Sequence, residues 1–144
     1  MAAGSDRTNV PDVPPQRGSF STGCGLGVLV GGPAAFGLVV LVGHAFASCD
    51  VGINNTANAN FLLYIAFPLL SVVNAVLFSA VFARISARVS GPAWRQRALG
   101  VVAALLAVLL LAWLLFAWQG TPSDYPDPIC HSNVPPWWPS WIPV

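Results

Sequence analysis

CGLGVLVGGPAAFGLVVLVGHAFA, residues 24–47, runs for 24 residues without a charged side chain. At 1.5 Å rise per helical residue, about 20 apolar residues cross the roughly 30 Å hydrocarbon core of a bilayer. The stretch is long enough to span. Two others resemble it: NFLLYIAFPLLSVVNAVLFSAVF at 60–82 and ALGVVAALLAVLLLAWLLFAW at 98–118, again without charge. The sequence therefore predicts an all-α integral membrane protein with three transmembrane helices, at about 24–47, 60–82 and 98–118, in a membrane domain covering 23–118.

Composition agrees. Of 144 residues 56% are hydrophobic and only 8% charged, and the mean hydropathy is +0.69. Soluble domains carry about a quarter of their residues as charges. A net charge of +1 argues against a nucleic-acid partner, because phosphate binding needs many clustered cations. Every cation is Arg, Lys and Glu are absent, and Ala, Gly, Pro and Val abound, which fits GC-rich coding and a bacterial source.

The flanks differ from the spans. Residues 1–22 carry Pro11, Pro14 and Pro15 among Gly, Ser and Asn with no apolar stripe, and read as a disordered arm. Residues 119–144 hold seven prolines and three tryptophans, and read as an irregular Pro/Trp-rich tail that neither spans nor forms a helix. Between the first two spans lies a short Asn-rich turn segment, 48–58, whose Asn54-Asn55-Thr56 matches the N-glycosylation pattern but is expected to be unoccupied, its Asn residues serving the turn backbone. Phe61, Tyr64 and Phe67 gather near this loop, as an aromatic belt would. Between the second and third spans lies a basic loop with Arg84, Arg88, Arg95 and Arg97, broken at Gly91-Pro92.

Three crossings put the N-terminal arm and the basic loop on one side. All six Arg fall there, with Arg7 and Arg17 in the arm, and Arg retention on the cytoplasmic side orients the chain. The expected placement is multi-pass in the plasma membrane, N-terminus cytoplasmic and C-terminus extracytoplasmic. Ala45-Phe46-Ala47 resembles a signal-cleavage site, and Phe46-Ala47-Ser48-Cys49 loosely resembles a lipobox, but the first span exceeds the 7–15 apolar residues of a signal peptide.

This topology places Cys49 and Cys130 together on the oxidising side and Cys24 on the other, so a Cys49–Cys130 disulfide is expected. Cys24 reads as a small apolar residue. His44, His131, Asp50, Asp124 and Asp127 lack the paired spacing of a metal site, so no metal and no cofactor is expected. Gly23, Gly27, Gly31 and Ala35 recur every four residues and form a stripe that a second helix can approach closely, within the chain or in a partner. Gly31-Gly32-Pro33 should weaken that helix. Asn74 falls deep in the second span, where its carboxamide is expected to bridge helices. Trp137, Trp138 and Trp141 in the tail are expected to anchor at the headgroups or to contact a partner.

No phosphate loop, activated nucleophile or carboxylate pair is present, so no catalytic residue is expected and the chain is not read as an enzyme. The leading expectation is a small accessory or structural subunit, in the lipid bilayer and bound to a larger membrane protein or to itself. A small oligomeric transporter or channel with Asn74 and Pro68 on its pathway is the first alternative. A thiol-disulfide enzyme using Cys49 and Cys130 is the second.

Overall fold

The structure is a computed structural model and describes residues 17–49, 59–119, 130 and 134–143. It is all-helical, with three long apolar helices able to cross a membrane and no strand among the described residues. Helix α1 spans Arg17–Ser48. A π-helical turn at Leu62–Ala66 leads into α2, Phe67–Arg88, and together with Ala59–Phe61 they form one continuous rod. Helix α3 spans Ala93–Gln119.

Each helix outruns the stretch expected of it. Helix α1 starts at Arg17, inside the segment assigned to the disordered arm; the second rod continues past 82 to Arg88, and α3 begins at Ala93 instead of 98. Charge marks where the hydrocarbon ends, but a helix ends where its backbone must. Arg has high helix propensity and its long stem carries the guanidinium out to water, so the second rod runs on until Gly91-Pro92 stops it. Gly91 takes φ +135°, open to glycine and strained for other residues. Pro92 then starts α3, its carbonyl accepting the N–H groups of Arg95 at 3.0 Å and Gln96 at 3.3 Å.

Gly31-Gly32-Pro33 does not end α1, which is helical on both sides of Pro33. Pro68 has a more visible consequence. Its ring would collide with the carbonyl four residues back, and it has no N–H to donate. The preceding π turn absorbs this break, with the Phe67 N–H reaching five residues back to the Leu62 carbonyl.

Helix α2 packs against both α1 and α3, which meet each other far less. Two apolar clusters hold the bundle. At the end carrying Gly91, here the hairpin end, Phe78, Phe82, Ala104 and Val108 are buried against Leu26, Val30 and Ala34. At the opposite, cap end, Leu38, Val42, Ala45 and Phe116 are buried against Leu70, Leu115 and Trp138.

Candidate functional site

The small-residue stripe faces α2 of the same chain. A Cβ on Gly31 would lie 2.8 Å from the Ala75 nitrogen and from the Ser71 oxygen, and one on Gly27 would lie 2.6 Å from the Ala75 oxygen. A Cβ on Gly23 would meet the Phe82 ring at 3.1 Å, and Ala35 continues the stripe fully buried. The missing side chains let two backbones touch, and apposition of this kind holds helices together where lipid removes the hydrophobic drive between them. This face is therefore filled within the chain.

Asn74 is 3% exposed, one turn from Leu70 in one cluster and one turn from Phe78 in the other. Its carboxamide forms no hydrogen bond with a described residue. The polar bridge between α1 and α2 comes instead from Ser79, whose hydroxyl is shared between the Gly23 carbonyl at 3.1 Å and its own helix's Ala75 carbonyl at 2.7 Å. The sequence alone does not rank Ser79 above Ser71: both lie four residues from Ala75, and which hydroxyl reaches α1 is decided by the packing. Ser71 instead bonds back to Phe67 at 2.8 Å, within the chain segment Pro68 disrupts.

At the cap end the tail folds back on the bundle. Cys49 and Cys130 form a disulfide, S–S 2.03 Å, and both are buried. The Cys49 N–H still bonds to the Ala45 carbonyl, so the bridge is rooted on the last turn of α1. Beyond it, residues 134–143 make two tight turns closed by Trp138 N–H to the Pro135 carbonyl at 2.9 Å and Ile142 N–H to the Pro139 carbonyl at 3.0 Å. Proline's locked φ favours such turns, and Pro135 is fully buried beneath them.

The three tail tryptophans divide. Trp138 stacks on Phe116 with ring centroids 4.4 Å apart, and its indole N–H donates to the Ile142 carbonyl at 2.9 Å, so it is part of the cap's own core. Trp137 donates to the Ser48 hydroxyl at 2.9 Å and lies 5.1 Å from the His44 ring, fastening the cap to α1. From α3, Trp113 donates to the Pro143 carbonyl at 3.1 Å. Trp141 projects outward, 80% exposed, with no hydrogen bond to a described residue. The sequence offered no way to rank the three, because the difference lies in which helix end each indole can reach.

Beside the cap, an open groove of about 350 Å³ lies between α1 and the π turn, lined by Leu38, Val42, Phe61, Leu62 and Ile65 with Trp118 at its side. Every residue lining it is apolar in type, and Asn74 and Pro68 are not among them. Of the scattered metal candidates only His44 is described, and no cluster of ligating side chains occurs among the described residues. His131, Asp50, Asp124, Asp127 and the Asn54-Asn55-Thr56 triplet lie outside them. The described fold defines a class: a three-span membrane protein whose tail is clamped by a disulfide over one end of the bundle. No protein family, curated protein or solved structure matches the chain.

Proposed function

We propose that this chain is a small accessory or structural subunit of a membrane protein complex, with its N-terminus cytoplasmic and the cap outside. One observation carries the reading: the cap is fastened to α1 and α3 by a disulfide and two indole hydrogen bonds, and it leaves Trp141 projecting. A preordered surface loses little entropy on docking, and an exposed Trp on such a surface is a typical hot spot. The orientation is supported by the Arg distribution and by the need of the disulfide for an oxidising compartment.

The two alternatives draw less support. A buried disulfide is poorly placed for thiolate attack, which needs an accessible sulfur, and Cys130 is only 3% exposed. A conduction path needs polar lining, whereas Asn74 is enclosed and Pro68 lies on the exposed side of its helix.

The test is co-purification of the tagged chain from its native membrane in mild detergent, compared with Trp141→Ala. A stoichiometric partner whose recovery drops several-fold in the variant supports the subunit reading. Recovery of the chain alone, unchanged by the substitution, would sink it.

A further inference from the structure

We propose that the hairpin end of the bundle binds anionic phospholipid, with the phosphate held by Arg84, Arg88, Arg95 and Arg97 and an acyl chain lying along α2. This site is separate from the cap and does not depend on its partner. All four Arg are exposed, and none forms an ion pair with a described residue.

Charge complementarity selects the headgroup. Because the arm and the hairpin share a side, Arg7 and Arg17 are offset by Asp6 and Asp12, which leaves the four hairpin charges without an equal number of carboxylates. The remaining acids, Asp50, Asp124 and Asp127, belong to the other side. Guanidinium groups pair with phosphate oxygens through two parallel N–H bonds, a geometry ammonium lacks. Juxtamembrane cations attract anionic lipid with about 1 kcal/mol each.

The helix surface selects a lipid over a soluble anion. Val72, Val76, Ala80, Arg84 and Arg88 follow one another at four-residue spacing, and all five are exposed. They form a single ridge, apolar for three steps and cationic for two. From residue 72 to residue 84 the ridge rises about 18 Å, close to the roughly 15 Å of one leaflet's hydrocarbon. A lipid beside it would lay its chain on the two valines and Ala80 and bring its phosphate level with the first guanidinium. Trp94, 72% exposed in the first turn of α3, marks the same headgroup depth.

The hairpin is also held in shape before any lipid arrives. The Gln96 side-chain amide donates to the Gly91 carbonyl at 3.0 Å, and the Ser86 hydroxyl donates to the Gln96 carbonyl at 3.3 Å. The Val89 N–H closes α2 on the Ile85 carbonyl at 3.1 Å. These bonds fix the turn that joins the two Arg-bearing helix ends. Binding then costs side-chain order only.

The experiment uses the full chain in nanodiscs of equal phosphatidylcholine and phosphatidylglycerol, reading the lipids retained on the protein by native mass spectrometry. The wild type should enrich phosphatidylglycerol about fivefold at low salt, and less at high salt. The Arg84→Gln, Arg88→Gln, Arg95→Gln, Arg97→Gln variant should retain both lipids equally, and Arg7→Gln with Arg17→Gln should keep the preference. Should the fourfold variant fail to fold, Arg84→Gln with Arg88→Gln gives the same reading, with enrichment at least halved. Equal retention by the wild type overturns the proposal. So does enrichment that survives loss of the hairpin Arg, or a soluble acidic peptide that binds the hairpin while the lipids show no preference.

Discussion

Gly31 and Gly37 lie in the same helix and have opposite surroundings. A methyl group on Gly31 would press on the backbone of α2, whereas one on Gly37 would meet nothing within 4 Å. Gly31→Ala should therefore destabilise the bundle by about 1–3 kcal/mol, since backbone cannot swing aside as a side chain does. Gly37→Ala should be neutral or stabilise by up to about 1 kcal/mol, as expected of Gly to Ala in a helix. Denaturation of both variants in detergent micelles measures this, and equal effects would contradict the packing described. Asn74 makes the complementary case. With its carboxamide enclosed and unbonded to a described residue, Asn74→Leu should leave stability unchanged or raise it by about 1–2 kcal/mol. Ser79→Ala should instead lower it by about 1 kcal/mol, because it removes the bond to Gly23. A large loss from Asn74→Leu alone would restore the bridging role expected of Asn74.

At the scale of elements, the cap is the part most dependent on one covalent bond. Cys49 and Cys130 are 81 residues apart, and closing a loop of that size stabilises by about 4.5 kcal/mol in chain-entropy models. Cys49→Ala with Cys130→Ala should lower the denaturation midpoint and open the tail to protease while leaving the three helices intact. Circular dichroism alongside limited proteolysis separates these outcomes; an equally resistant tail would mean the indole contacts suffice. The helices illustrate what sequence can delimit. The spans at 24–47, 60–82 and 98–118 were readable because a bilayer tolerates no charge in its core, yet the helices extend into Arg-bearing turns on which that criterion is silent. Pro68 stands inside the second predicted span, and the apolar pattern that marks that span gives no sign of the π turn before it.

For the whole molecule, the proposed orientation makes a direct forecast. A fluorescent reporter that folds only in the cytoplasm should light when fused to the N-terminus, and a reporter active only outside should work at the C-terminus. The reverse pattern would invert the orientation and place the disulfide in a reducing compartment. The candidate sites were partly legible. Cys49 and Cys130 could be paired because topology left them one compartment and no rival thiol. The tail tryptophans could be noticed but not sorted.

The number of spans and the class of fold follow from the linear order of residues alone, because hydrocarbon imposes a one-dimensional rule: about 20 consecutive residues either avoid charge or do not cross. Which faces are used is settled by packing in three dimensions. The glycine stripe was compatible with any helix until α2 was seen to fill it, and Trp138 and Trp141 stand three residues apart in the same run yet have opposite roles. Burial is a property of neighbours distant in sequence, here Phe116 for one tryptophan and open surroundings for the other, and no local pattern encodes that difference.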